Sequence, residues 1–215
     1  MIKKILIILI CLPVLSNSQS SYNLGLIGSY NWDGASYDSE GSDIWGWENP
    51  TTGVEYALVG LNSGFSVIDL SSPQNPIESF IIPGVNSTWR DIKTYGDYAY
   101  VTTEAQNGIL IIDLSPLPSS NDLTTYYYYG SSTGNWQSAH NLYVDDRGYA
   151  YIFGANRGNG GCIILDLNQN PTSPVQIADI DNWYVHDGMV KGDTLFLAHA
   201  TNSFFSIWDV SNPAN

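Results

Sequence analysis

The sequence predicts an all-β fold, a β-propeller built of four-stranded antiparallel blades. Three observations carry the prediction. One unit recurs four times along the chain. Each unit holds two strong apolar strands that end on an Asp. No stretch after the N-terminal segment has the period of an amphipathic helix, and the apolar runs are short and β-branched.

The first element is not part of the propeller. Lys3 and Lys4 precede an apolar run from Ile5 to Leu15, then small and polar residues up to Ser18. That is the layout of a signal peptide over residues 1–18, cleaved before Gln19. The run is too short for a comfortable bilayer span. Ile10, in front of Cys11, is too large for a lipoprotein signal. A lead-in segment, 19–41, follows.

The repeats come next. Their central strands are Glu55-Tyr-Ala-Leu-Val-Gly with Phe65-Ser-Val-Ile-Asp69, and Asp97-Tyr-Ala-Tyr-Val-Thr with Ile109-Leu-Ile-Ile-Asp113. They continue with Gly148-Tyr-Ala-Tyr-Ile-Phe and Cys162-Ile-Ile-Leu-Asp166, then Asp193-Thr-Leu-Phe-Leu-Ala and Phe204-Phe-Ser-Ile-Trp-Asp209. The terminal Asp residues stand 44, 53 and 43 residues apart, the spacing of propeller blades. An earlier strand opens each unit, at Asp43, Asp91, Asn141 and Asp187, and a later one closes the first three. The predicted blades are about 42–82, 87–130, 137–180 and 184–215. The last is incomplete at Asn215, which predicts a fragment of a larger propeller with further C-terminal blades or an anchor missing.

Composition narrows the partners. The 215 residues carry 7 Lys and Arg against 21 Asp and Glu, a formal charge of −14. Loss of Lys3 and Lys4 deepens it. A nucleic-acid phosphate backbone needs a basic surface, so such a partner is excluded. Protein or glycan partners and cations remain. Once Cys11 is cleaved away, Cys162 has no partner for an intrachain disulfide. No Gly-x-Ser-x-Gly elbow, P-loop, dinucleotide glycine pattern or paired Cys for zinc is present.

The Asp-Leu-Ser-Ser-Pro-Gln-Asn-Pro, Asp-Val-Ser-Asn-Pro and Gly-Asp-Tyr-Ala-Tyr-Val units resemble LVIVD-type propeller repeats. The blocks Ser42-Asp-Ile-Trp-Gly-Trp47, Ser87-Thr-Trp-Arg-Asp-Ile-Lys93, Ser138-Ala-His-Asn-Leu142 and Val185-His-Asp-Gly188 resemble the choice-of-anchor B family. The resemblance spans residues 42–215. It implies a secreted or surface-anchored bacterial protein, as in Bacteroidetes, and implies no reaction.

Candidate chemistry lies on the opening strands, which line the channel of a propeller. One ring of equivalent positions holds Asp43, Asp91, Asn141 and Asp187. Their oxygens suit Ca²⁺, or else bond neighbouring backbone and pin blade to blade. The adjacent ring holds Ser42, Arg90, His140 and His186. Imidazole binds transition metals, but a hydrogen-bonded pair near the channel mouth is the plainer expectation for His140 and His186, and Arg90 is expected to pair with Glu104 or grip an anionic group. Trp45 and Trp89 offer flat faces near the mouth, or serve blade packing. His199 reads as a packed strand histidine. The expectation is a binding scaffold without catalysis, using Arg90, His140, His186, Trp45, Trp89 and Glu104. The alternative is a metal-dependent hydrolase or lyase on the same His and Asp residues.

Overall fold

The computed structural model describes residues 23–32, 40–131 and 134–214. The expected signal peptide, with Cys11, and much of the expected lead-in segment lie outside the described residues.

The strands follow the repeats. The first sheet contains β1 (Gly41–Glu48), β2 (Glu55–Leu61), β3 (Gly64–Asp69) and β4 (Ile77–Pro83). The second contains β5 (Ile92–Tyr95), β6 (Tyr98–Val101), β7 (Ile109–Asp113) and β8 (Thr125–Tyr128). A short ribbon, β9 (Gly130–Ser131) and β10 (Gly134–Asn135), leads to the third: β11 (Asn141–Val144), β12 (Tyr149–Phe153), β13 (Cys162–Asp166) and β14 (Val175–Ile180). The fourth has three strands among the described residues: β15 (Asp187–Lys191), β16 (Thr194–His199) and β17 (Phe204–Asp209). Every sheet is an antiparallel meander in chain order. The only helix among the described residues is a 3₁₀ turn, Ala200–Asn202.

Each third strand ends on the same device. The Oδ1 atoms of Asp69, Asp113, Asp166 and Asp209 accept the backbone N–H of Ser71, Ser115, Asn168 and Ser211, at 2.6 to 2.9 Å. These Asx turns replace ladder bonds as the chain leaves the sheet, which explains why the unit ends on Asp. A bulge recurs too: the β3–β4 register slips between Val67 and Ile68, and the β13–β14 register between Ile164 and Leu165. A bulge sharpens the twist of the outer strand.

The sheets stack through period-two side chains. Leu58, Phe65 and Val67 of the first sheet meet Ile92, Ala99, Val101 and Ile112 of the second. Tyr100, Ile109 and Ile111 point the other way, onto Leu142, Ile152 and Leu165 of the third. Tyr151, Phe153, Cys162 and Ile164 do the same toward Val190, Leu195 and Leu197 of the fourth. Full burial of such a side chain contributes about 1.5–3 kcal/mol. On its other face the first sheet is covered by the lead-in, with Tyr30 and Trp32 against Val59, Leu61 and Ile68.

β1 packs on β5, β5 on β11 and β11 on β15, which makes these opening strands the inner edge of an arc. β15 has no such packing against β1. Side chains also cross between sheets. Trp47 Nε1 donates to Gly96 O, Tyr95 Oη to Asn168 Oδ1, and Tyr143 Oη to Val190 O.

Candidate functional site

The site grows from the N-terminal ends of the opening strands. His140 and His186 each stand one residue before such a strand. Their backbone N–H groups extend the ladders, His140 to Phe153 O at 3.0 Å and His186 to Ala198 O at 2.9 Å. Both imidazoles are thereby carried on rigid sheet. His140 Nε2 lies 3.0 Å from His186 Nε2, with ring centroids 4.3 Å apart. Glu104, in the loop after β6, places Oε1 2.7 Å from His140 Nδ1. The edge of the Trp89 indole stands near the His140 ring, centroids 6.2 Å apart, and Trp89 is half exposed. The chain Glu104–His140–His186 therefore links three sheets at one rim.

Gly154 makes room for this cluster. Its φ is +63°, and a Cβ there would stand 2.8 Å from His140 Cβ and 3.1 Å from Tyr184 Oη. Tyr184 is a neighbour that the sequence did not single out. Burial, then the Glu104 charge, raises its phenol above the ordinary value. The one available signal was its position two residues before His186.

The acidic ring bridges blades. Asp43 sits in a bulge of β1, where the register against β2 slips between Gly41 and Ile44. Its Oδ2 accepts the Ile92 N–H at 2.9 Å and stands 3.9 Å from Lys93 Nζ. Asn141 Nδ2 donates to Asp187 Oδ1 at 3.2 Å, joining β11 to β15. Asn141 Oδ1 accepts the Leu142 N–H, and Asp187 Oδ1 accepts that of Gly188. The Asp91 carboxyl is pushed up to about 6, first by burial and then by the Asp43 charge. Among the described residues, no three or more His, Cys, Asp and Glu side chains form a group able to hold a metal ion. Of the side chains expected to suit Ca²⁺, Asp43, Asn141 and Asp187 engage backbone groups or one another.

Arg90 departs from the expected channel role. It is buried, and its guanidinium donates to the carbonyls of Leu61 (2.7 Å from Nε) and Val85. Neither Glu104 nor another carboxylate pairs with it among the described residues. Glu104 is engaged by His140 instead. The Arg90 backbone presses on β2 at Gly60, where a Cβ would meet Arg90 O at 2.5 Å. Ser42 Oγ accepts the Arg90 N–H, so the adjacent ring does not present one uniform face. Its two histidines meet side chain to side chain.

Trp45 sits at the junction of the first two sheets. Its Nε1 donates to Thr94 Oγ1 at 3.0 Å, and Lys93 Nζ lies 4.4 Å from its ring centroid. His199 is a buried strand histidine, bonded to Tyr184 O at 2.9 Å and Ser206 Oγ at 2.8 Å.

Residues 54–83 and 88–127 match the LVIVD repeat. These stretches cover β2 to β4 of the first sheet and most of the second. A solved structure, Kluyveromyces lactis Hsv2, superposes with a TM-score of 0.57 at 11% identity. The match covers 81% of this chain and 50% of that one, so the chain spans half the length of the solved protein. At that identity the likeness concerns the fold alone, and the fold is a propeller. A search of curated proteins returns no match. Two stretches of the first two sheets are thus similar to LVIVD repeats, on a fold that is propeller-like. Among the described residues no helix is long and apolar enough to cross a membrane.

Proposed function

We propose that this chain is a secreted or cell-surface binding scaffold whose contact surface is the rim where β5, β11 and β15 begin. The observation that carries the reading is the gathering of four side chains at one accessible edge: Trp89 and Glu104 from loops of the second sheet, His140 and His186 from the residues that open β11 and β15. Binding sites need side chains held by their supports, and the two histidines are held by ladder bonds. The rim has aromatic faces and negative charge on a chain of net charge −14. That favours a protein partner with a basic patch, met through complementary charge. The resemblance to choice-of-anchor B proteins and the N-terminal Lys-Lys-apolar segment support the extracellular setting.

The metal-dependent hydrolase or lyase reading asks for three protein ligands and an open position. The described residues gather two imidazoles and no third ligand. The scaffold is therefore the better supported reading.

The test has two arms. Expression of the full chain in a bacterial host, with sequencing of the exported product, is expected to show Gln19 as the first residue. Binding of the purified mature chain is then measured against immobilised basic peptides and neutral glycans. Binding to the peptides that falls at least tenfold in Trp89→Ala and Glu104→Gln supports the reading. Retention in the cytosol, binding that ignores both substitutions, or turnover of ester or glycoside substrates overturns it.

A further inference from the structure

We propose that His140 and His186 form a two-imidazole site for a divalent transition-metal ion, with Glu104 as the outer partner that fixes the ligand tautomer. The inference goes beyond the scaffold reading and does not depend on any partner being found.

The geometry is the first argument. Two imidazole nitrogens from different blades approach to 3.0 Å. Two nitrogens bound tetrahedrally at the usual zinc distance are about 3.3 Å apart. A small rocking of either ring about its side-chain torsions covers the difference. The second argument is the proton inventory. Glu104 Oε1 at 2.7 Å accepts the hydrogen bond of His140 Nδ1–H, so the neutral ring carries its lone pair on Nε2. That lone pair accepts the Nε2–H of His186, and ligation of an ion moves this proton to His186 Nδ1, which frees the second nitrogen. A ligating histidine held at its other nitrogen by a carboxylate is the usual outer-shell arrangement of a metal site. The third argument is rigidity. Both residues are tied by backbone bonds to the neighbouring strand, so the nitrogens are brought together before any ion arrives.

The ligand set selects the ion. Imidazole suits Zn²⁺, Ni²⁺ and Cu²⁺, whereas Ca²⁺ and Mg²⁺ take oxygen ligands. With two protein donors, the remaining positions of the ion are open to water or to a donor from a bound molecule. The ion would strap the third sheet to the fourth at their inner edge.

The experiment uses the untagged mature chain, stripped with chelator, and isothermal titration with ZnCl₂, NiCl₂ and CaCl₂. One equivalent of Zn²⁺ or Ni²⁺ is expected to bind, and Ca²⁺ is expected not to compete. His140→Ala and His186→Ala are each expected to abolish binding. Glu104→Gln is expected to weaken it 10–100-fold, the usual effect of losing an outer-shell carboxylate. Far-ultraviolet circular dichroism checks that each variant is folded, and His186→Gln replaces any that is not. NiCl₂ is also expected to quench fluorescence from Trp89, a loss absent in Trp89→Phe. Failure to bind either metal at millimolar concentration overturns the proposal. So does binding that survives both histidine substitutions, or Ca²⁺ displacing the transition metal.

Discussion

Asp91 carries a stability cost that one atom change removes. Burial and the Asp43 charge raise its carboxyl from 3.8 to about 6, and the Asp187 charge adds to the rise. Lys93 and His140 act the other way without offsetting it. A carboxyl whose pKa is higher in the folded state makes the native chain bind more protons than the unfolded one between 3.8 and about 6. Its contribution is therefore fully present below 3.8 and is lost as pH rises through about 6. The shift of roughly two units corresponds to about 3 kcal/mol at neutral pH. Residual solvent contact lowers the expected effect to about 1–3 kcal/mol. Asp91→Asn keeps the shape and removes the charge, and the Thr102 N–H still reaches the backbone oxygen of residue 91. Urea unfolding followed by tryptophan fluorescence, at pH 4.5 and pH 8, measures both proteins. The variant is expected to be more stable at pH 8, and the gap is expected to shrink toward pH 4.5. A variant that is no more stable at pH 8, or a gap equal at both pH values, refutes the argument.

Three more outcomes follow from the packing. Arg90→Met should cost about 2–4 kcal/mol in urea unfolding, because it strips the carbonyls of Leu61 and Val85 of their donor. Arg90→Lys, which cannot serve both, should recover little of it. Cys162 is fully buried and its thiol is pushed up by burial. It should therefore react with a thiol reagent in the native mature chain only as fast as the protein opens, and promptly in urea. β17 pairs with β16 alone among the described residues, and Phe205 on it is 70% exposed. Phe205→Lys should reduce self-association in sedimentation velocity without lowering thermal stability, as a charge on a strand edge does.

Much of the fold was legible because the repeat writes it four times. Tyr-Ala-Tyr-Val and Tyr-Ala-Tyr-Ile alternate large and small side chains toward the two neighbouring sheets. Ala99 faces the first sheet and Tyr100 the third, as the period of a strand requires. The meeting of His140 and His186 was legible: their equivalent positions on neighbouring blades predicted a hydrogen-bonded pair near the channel mouth, and their Nε2 atoms lie 3.0 Å apart. Arg90 was not legible in the same way. It holds the position of the two histidines in the repeat, yet its long side chain finds the Leu61 carbonyl before it finds the rim. Nor could Tyr184 be read, because its place depends on the bare backbone at Gly154, more than twenty residues away in sequence.

Among the described residues the sheets are joined to their sequence neighbours, through bonds such as Trp47 to Gly96, Tyr95 to Asn168 and Tyr143 to Val190. Such a chain behaves like a row of coupled units in one dimension, with stability summed over adjacent interfaces. Among the described residues the second and third sheets have a sheet on either side, and the fourth packs on the third alone. In a polypeptide of these residues, opening should therefore begin at the fourth sheet and travel inward, as fraying does at the end of a zipper. Amide hydrogens of β7 and β12 would exchange last, and those of β16 would exchange well before them.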